Sequence, residues 1–257
     1  YKSFFDKNNG SFLSGLLPEI IHALKSKNKN YSIVDERNNN VNWLHKTIDE
    51  NFLNNFLPEG DEPITLHDYQ PDLVNKALFF NRGIIQAPTG AGKTFVAVSL
   101  LKCLPPKTPT LFLTRNTALV DQNYEAVKHW GIPDIGRCYG DYREPNFITF
   151  ANTNVHSLKY IEKLLPKIKA LIVDEVHECT SDVPKSAYRK MKNACIRIGI
   201  SATPFKDKAV HKFTVKGHFG PIFKTNTTES GYLTTKELQK RGILTKSICT
   251  FYPINEP

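Results

Sequence analysis

Residues 87–94 read APTGAGKT, and the apolar run 83–85 precedes them. A second apolar run, residues 95–98, follows and is typical of a helix. Strand, glycine-rich loop and helix in this order predict a phosphate-binding loop. Gly90 and Gly92 let the backbone curl so that successive N–H groups point at phosphate oxygens, and the helix N-terminus favours the same anion.

The loop assigns roles to individual side chains. Lys93 is placed to reach the β- and γ-phosphates, and the Thr94 hydroxyl is placed to bind Mg²⁺. The usual first glycine of the pattern is Ala87 here. An ordinary glycine-rich turn is the alternative, but the strand and helix on either side favour nucleotide binding. The predicted cofactor contacts are Pro88, Thr89, Gly90, Ala91, Gly92, Lys93 and Thr94.

Outward from this loop, apolar runs alternate with helical patterns. The runs are apolar throughout, as expected for strands with both faces covered by helices. The predicted strands are 83–86, 110–113, 147–150, 170–173 and 196–200, and helices are predicted at 117–130 and 155–165. This alternation predicts an α/β fold with a doubly wound parallel sheet, whose ligands gather at the carboxyl ends of the strands.

The first 60 residues differ in composition from the rest of the chain, with Asn-rich and Lys-rich stretches around short patterned segments. We interpret residues 1–60 as a small α+β accessory domain. Pro18 predicts a helix start, residues 31–34 a strand, and the segment 57–63 a boundary. Residues 61–253 then form the main lobe.

Composition limits the class of protein. Lysine and arginine exceed aspartate and glutamate by 34 to 25, a formal net charge of +9 that favours a polyanionic partner. No apolar run is long enough for a membrane span, and no signal peptide opens the chain, so we expect a cytoplasmic protein without a membrane partner. Five scattered cysteines without a CxxC pair predict neither a disulfide framework nor a zinc site.

Three further motifs accompany the loop. Asp174-Glu175-Val176-His177 follows a strand, and such a carboxylate pair suits Mg·ATP hydrolysis: Asp174 would hold the metal and Glu175 would polarise the attacking water. Ser201 and Thr203, in SATP at the end of the next strand, can bond that loop. The amide of Gln70, upstream in HDYQP, matches the Hoogsteen edge of adenine.

HDYQP, APTGAGKT, DEVH and SATP, in this order, resemble motifs Q, I, II and III of superfamily 2 helicases and translocases. The resemblance covers about residues 62–253 and implies a RecA-like first motor lobe with Lys93, Asp174 and Glu175 as catalytic residues. Residues 113–119 resemble motif Ia and residues 149–158 motif Ib, which line the nucleic-acid track in this superfamily. The implied nucleic-acid contacts are Thr114, Arg115, Gln122 and Thr153.

The leading segment GSFLSGLLPEIIHAL and the DEVH box narrow the resemblance to phage UvsW-type and XPB-like DNA helicases. In such relatives the leading domain recognises branched or double-stranded DNA. Lysines of the leading segment would then approach DNA phosphates, or would form an ordinary solvated face. His177 would couple ATP to DNA contacts, or would only pack. The lysines concerned are Lys2, Lys7, Lys25, Lys27 and Lys29.

The resemblance also implies a second motor lobe with an arginine finger, and no motifs after Pro204 match it. The chain begins at Tyr1 and ends at Pro257, and we expect it to be a fragment. An arginine finger contributes about 10³ to 10⁵ in rate. The sequence therefore predicts weak nucleotide binding and very slow hydrolysis by this chain alone.

The leading hypothesis is an ATP-dependent DNA helicase or translocase that acts on branched or forked DNA. Its expected cofactors are ATP and Mg²⁺. An RNA helicase, or a translocase that moves on duplex without unwinding it, keeps the motor but changes the substrate. A nucleotide-gated module that binds DNA junctions without motor activity is the alternative of another class. The absence of HExxH spacing and of a cysteine nucleophile motif disfavours metal hydrolases and nucleophilic enzymes.

Overall fold

The computed structural model describes residues 6, 8, 10–34, 41–205 and 209–245. Seven strands form one sheet in the order β1-β7-β6-β2-β5-β3-β4, and only the edge strand β4 runs antiparallel to its neighbour. The strands are β1 Arg82–Gln86, β2 Thr110–Thr114, β3 Ile135–Tyr139, β4 Tyr142–Glu144, β5 Ile148–Asn152, β6 Ala170–Asp174 and β7 Ile196–Ser201.

Eight α-helices surround the sheet among the described residues: α1 Leu17–Ser26, α2 Tyr69–Phe80, α3 Lys93–Lys102, α4 Thr117–His129, α5 Val155–Tyr160, α6 Asp182–Lys190, α7 Ala209–Phe219 and α8 Thr235–Lys240. None of the helices in this part of the chain has the length and apolar character needed to cross a bilayer.

The sheet separates two hydrophobic cores. Neighbouring residues on a strand point to opposite faces. Accordingly, Ile85 and Phe112 pack with residues of α2, α3 and α4, whereas Ile84 and Leu111 pack with residues of α5, α6 and α7. Burial of both faces explains why these strands are apolar throughout. The predicted doubly wound parallel sheet is confirmed, and all five predicted strands are present within two residues of their expected bounds.

A β-hairpin at the sheet edge was not predicted. Strands β3 and β4 are joined by Gly140 and Asp141, and Tyr139 pairs with Tyr142 across the turn. Gly140 has a φ of +53°, in the left-handed region where glycine is favoured. A Gly-Asp pair between strand-forming residues is a hairpin signal, so the sequence did contain this information.

The helix predicted at 155–165 is shorter than expected. α5 ends at Tyr160, and a separate 3₁₀ helix follows at Leu165–Lys167. Between them the backbone hydrogen bonds span three residues instead of four. For example, the Glu162 N–H donates to the Lys159 carbonyl. Such i→i−3 bonding closes a helix rather than extending it.

The leading segment packs on the lobe. The helix predicted from Pro18 is confirmed as α1, in which Pro18 occupies the first turn. A Cβ added to Gly15 would lie 2.0 Å from the Lys216 carbonyl oxygen, and the Lys216 ammonium lies 2.6 Å from the Glu19 carboxylate. The 3₁₀ turn Ser14–Leu16 therefore contacts α7 backbone to backbone.

The predicted strand at 31–34 is wrong. These residues have no regular secondary structure, and Ile33 and Val34 are exposed. A strand needs a neighbour for its backbone N–H and C=O groups. Within the described ranges, no strand pairs with this segment.

Residues 43–57 contribute to the core of the lobe. Phe52 and Leu53 are buried in the same cluster as α2, and the Trp43 indole N–H donates to the Asn81 side chain at 2.6 Å. The domain boundary near residue 60 stays a prediction. The residues that pack together here come from both sides of that boundary.

Candidate nucleotide-binding site

The phosphate-binding loop connects β1 to α3 at the carboxyl edge of the sheet. Gly90 and Gly92 have φ values of +81° and +71°, and α3 begins at Lys93. The Ala87 N–H donates to the Ser201 carbonyl at 2.9 Å, which ties the start of the loop to the end of β7. Ala87 is buried, so its methyl group is accommodated where the motif usually has glycine.

Lys93 meets the carboxylates that follow β6. Its ammonium contacts the Glu175 carboxylate and lies 3.9 Å from Asp174 Oδ1. The three predicted catalytic residues are thus adjacent, although α3 and β6 are far apart in the sequence. Parallel strands end at one sheet edge, and this topology brings the two motifs together.

These side chains face a cavity of about 370 Å³. Its lining includes the predicted loop residues Thr89, Gly90, Gly92, Lys93 and Thr94, the carboxylates Asp174 and Glu175, and three α4 residues, Leu119, Gln122 and Asn123. Phosphate groups that entered it would meet the loop and the Lys93 ammonium. The arrangement suits a nucleoside triphosphate.

Asp174 is 8% exposed, and burial raises its pKa, while the Lys93 charge opposes the rise. The side-chain amide of Asn123 lowers the same pKa and so favours the ionised carboxylate. A hydroxyl and a carboxylate are hard oxygen ligands, so Thr94 and Asp174 fit a magnesium ion that keeps waters and phosphate oxygens as its other ligands. Asn123 was missed because nothing in the sequence of α4 marks it.

A network joins the predicted coupling residues to Glu175. The His177 Nδ1 lies 2.7 Å from Ser201 Oγ and 3.4 Å from Glu175 Oε2, and the Ser201 hydroxyl donates to Glu175 at 3.3 Å. Thr203 is exposed and lies outside this network. Glu175 itself has a φ of +48°, a conformation that non-glycine residues rarely adopt and that is found at functional sites.

Gln70 supports the loop from α2. It is 2% exposed; its Nε2 donates to the Ala91 carbonyl at 3.0 Å, and its Oε1 accepts from the His67 N–H at 2.8 Å. Tyr69 adds a hydroxyl bond to the same Ala91 carbonyl at 3.3 Å. The predicted contact to adenine stays a prediction, and the contacts seen are to the phosphate-binding loop.

Residues 63–206 match the model of the protein family described as type III restriction enzyme, res subunit, which covers more than half of the chain. The chain belongs to that family of superfamily 2 helicases. Its phosphate-binding loop, DEVH box and SATP segment all lie inside the matched range. The predicted superfamily is therefore confirmed.

Similar proteins agree with this membership. The chain is 32% identical over 166 residues to the DNA 3'-5' translocase XPB2 of Sulfurisphaera tokodaii, a match that covers 64% of this chain and 37% of that protein. It is 26% identical over 195 residues to the ATP-dependent DNA helicase uvsW of Enterobacteria phage T4, covering 71% of this chain and 38% of that protein. The chain thus spans well under half the length of these relatives.

The fold is also similar to the crystal structure of the UvsW helicase from bacteriophage T4. The TM-score is 0.68 at 19% sequence identity, and the match covers 86% of this chain and 82% of that chain. The predicted RecA-like fold of this superfamily 2 helicase lobe is confirmed.

The predicted nucleic-acid contacts of the helicase lobe fall in three places. Thr114 is buried at the end of β2, and its carbonyl accepts from the half-buried Thr153 at 3.0 Å. Arg115 is exposed and pairs with Glu178, just beyond the DEVH box. Gln122 lines the nucleotide cavity. The contacts of these residues with nucleic acid stay predictions. Lys25, Lys27 and Lys29 are exposed on the leading segment, whereas Lys2 and Lys7 lie outside the described residues.

The last described segment of the helicase lobe covers the phosphate-binding loop. This contact was not predicted from the sequence. A Cβ added to Gly90 would lie 2.4 Å from Leu244 Cδ2. The Arg241 guanidinium, just after α8, donates to Asp68 at 2.8 Å, beside Gln70. Residues 241–244 thus contact both the loop and the start of α2.

Proposed function

We propose that this chain is the ATP-binding lobe of a DNA helicase or translocase that acts on branched or forked DNA. The convergence of Lys93, Asp174 and Glu175 on one cavity carries the proposal, because phosphate binding and water activation need these groups together. The names of the similar proteins from Sulfurisphaera tokodaii and phage T4 favour DNA over RNA as the substrate. We also propose a cytoplasmic location, because an enzyme that acts on archaeal or phage DNA, as the names and sources of these two proteins suggest, meets its substrate there.

ATP would bind with its phosphates on the loop and on Lys93. Magnesium, when bound at Thr94 and Asp174, would neutralise phosphate charge. Glu175 would orient and polarise the attacking water, since it lies next to Lys93 and within the Ser201–His177 network. Ser201 and His177 would transmit the state of the cavity, because both contact Glu175.

A second lobe would complete the ATP site on closure. The chain spans a minority of the length of its relatives, so we propose that nucleotide binding by these 257 residues alone is weak and hydrolysis very slow. Robust DNA-stimulated turnover by the isolated chain would contradict this proposal.

Glu175→Gln in the full-length protein tests the motor. We expect ATP hydrolysis to fall to background while ATP still binds, because the amide keeps the shape but cannot act as a base. The matched control is Glu125→Gln, an exposed carboxylate on α4, which should hydrolyse ATP like wild type. Unchanged turnover in Glu175→Gln would remove Glu175 from its proposed role. DNA-junction binding by the wild-type protein without any ATP turnover would instead favour a nucleotide-gated module without a motor.

The substrate is tested by comparing ATPase stimulation with forked DNA, blunt duplex and single-stranded RNA. We expect the forked DNA to stimulate most. Equal stimulation by forked and blunt duplex would indicate a duplex translocase, and stimulation by RNA alone would overturn the choice of DNA.

A further inference from the structure

A second groove lies at the carboxyl edge of the sheet, beyond the nucleotide cavity. It has a volume of about 630 Å³ and lies between the β3–β4 hairpin and α5. Thr117 at the start of α4 contributes to it, while Leu119 and Asn123 of the same helix line the nucleotide cavity. The other residues relevant to its chemistry are Asp141, Tyr142, Arg143, His156, Lys159 and Tyr160. We call it the tyrosine groove.

Two exposed aromatic rings line the tyrosine groove, Tyr142 on β4 and Tyr160 at the end of α5. Their exposed fractions are 43% and 45%, and neither ring belongs to the hydrophobic core. Large exposed aromatic side chains that line a groove mark binding sites more often than isolated ones do.

Contacts with neighbouring residues hold both rings in place. The Arg137 guanidinium lies 4.0 Å from the centroid of the Tyr142 ring and is itself fixed by Asp121 at 2.8 Å. The Tyr160 hydroxyl donates to the Arg143 carbonyl at 3.0 Å, which links α5 to the hairpin. Because the rings are ordered in advance, a ligand that stacks on them pays little side-chain entropy.

The groove is also cationic. Arg143 and Lys159 line it, against the single carboxylate of Asp141, and the His156 ring adds a further hydrogen-bonding group. The Arg143 guanidinium lies 5.4 Å from the centroid of the Tyr160 ring, so a cation and a stacking platform are neighbours. Aromatic faces beside basic groups are the chemistry by which proteins bind single-stranded nucleic acid.

The position of the groove agrees with this chemistry. Asn152 and Asn154 line it and flank Thr153, one of the predicted nucleic-acid contacts. Bases of a duplex are already stacked on one another, so exposed rings select an unpaired strand.

We propose that the tyrosine groove binds single-stranded DNA, with bases stacked on Tyr142 and Tyr160 and phosphates beside Arg143 and Lys159. The proposal rests on the proposed function, because it places one strand of the DNA substrate on this lobe. It adds a binding site on the hairpin to the contacts expected from motifs Ia and Ib.

The test measures binding of a fluorescent oligothymidylate and of a blunt duplex to the full-length protein by anisotropy. We expect Tyr160→Ala to weaken single-strand binding about tenfold, the usual effect of losing one stacked base, and to leave duplex binding unchanged. Tyr160→Phe keeps the ring but loses the bond to the Arg143 carbonyl, so it should retain most of the single-strand affinity that Tyr160→Ala loses. Phe79→Ala, which removes an exposed aromatic ring near the end of α2 and outside the groove, is the matched control.

Arg143→Ala provides an independent measurement. We expect the slope of the logarithm of single-strand affinity against the logarithm of salt concentration to shrink by about one, because one phosphate contact is lost. ATP affinity and the unfolding temperature of each variant report whether the lobe is intact.

The outcomes separate the two proposals. If the wild-type protein does not bind DNA, the proposed function fails. If it binds DNA but Tyr160→Ala and Arg143→Ala bind single strands as tightly as wild type, only the tyrosine groove fails. Equal losses for single strand and duplex in Tyr160→Ala would overturn the stacking role.

Discussion

The Lys93 ammonium is in direct contact with the Glu175 carboxylate, across the gap between the start of α3 and the end of β6. Asp174 lies 3.9 Å from the same ammonium. The group proposed to bind phosphate is therefore paired with the group proposed to activate water. A nucleotide phosphate that reached Lys93 would compete with Glu175 and free its carboxylate, which would link ATP binding to the residue proposed to activate water.

Lys93→Ala is expected to weaken ATP binding about tenfold or more, because a charge-assisted hydrogen bond to phosphate is lost. Titration with a fluorescent ATP analogue measures the affinity. Lys128→Ala, an exposed lysine in the last turn of α4, is the control and should bind normally. Normal affinity in Lys93→Ala would contradict the assignment of the phosphate-binding loop.

Gln70→Ala is expected to weaken the binding of ATP and of GTP equally, because the Gln70 amide donates to the Ala91 carbonyl of the loop and not to the base. Gln70→Glu should be at least as damaging, since a carboxylate cannot donate that bond. The two nucleotides are compared in the same titration. A loss confined to ATP would instead support the prediction that Gln70 contacts adenine.

Gly90→Ala is expected to reduce ATP affinity about tenfold. The added methyl group would be strained at a φ of +81° and would push Leu244 away from the loop. Gly60→Ala is a matched control, because Gly60 has a φ of +89° with no atom within 4 Å of the added Cβ. The control should cost stability of about 1 to 2 kcal/mol from backbone strain alone and leave ATP affinity unchanged. Equal ATP affinities in the two variants would exclude a role for the Leu244 contact.

His218 predicts a pH dependence of stability. Burial, assisted by the nearby charge of Arg197, lowers the pKa of His218 to about 3. The unfolded chain takes up this proton near pH 6.5, whereas the folded chain does not. The stabilising contribution is therefore complete above pH 6.5 and is lost as the pH falls from 6.5 towards 3, with a slope of up to about 1.4 kcal/mol per pH unit.

His218→Phe removes that titration while keeping a ring in the buried site. Denaturant unfolding between pH 6.5 and 5 should show a shallower loss of stability than in wild type. His22→Phe, at an exposed position on α1, should keep the wild-type slope. An unchanged slope in His218→Phe would show that His218 is not buried in its neutral form.

Local patterns were sufficient to predict much of the fold, and they also indicated the candidate catalytic groups. The loop that carries Lys93 depends on glycines two residues apart, and the strands depend on short apolar runs, so neighbours in the sequence specify both. The strand predicted at 31–34 failed for the complementary reason. Its pattern was local, but a strand also requires a partner.

Long-range packing decided the surroundings of the predicted catalytic groups. The direction of Gln70 towards the loop, the amide of Asn123 beside Asp174, and Leu244 over Gly90 each join segments that are distant in the sequence. Gln122, predicted to contact nucleic acid, is exposed and lines the nucleotide cavity, a placement that depends on how α4 packs beside the loop.

The sequence by itself determined the phosphate-binding loop, the carboxylate pair and the parallel sheet, because backbone geometry and strand burial leave a signature within a few residues. Only the tertiary structure decided that Lys93 meets Glu175 and that Tyr142 and Tyr160 line one groove. Those contacts follow from the order of strands in the sheet, which brings distant segments to a common edge and which no short stretch of sequence encodes.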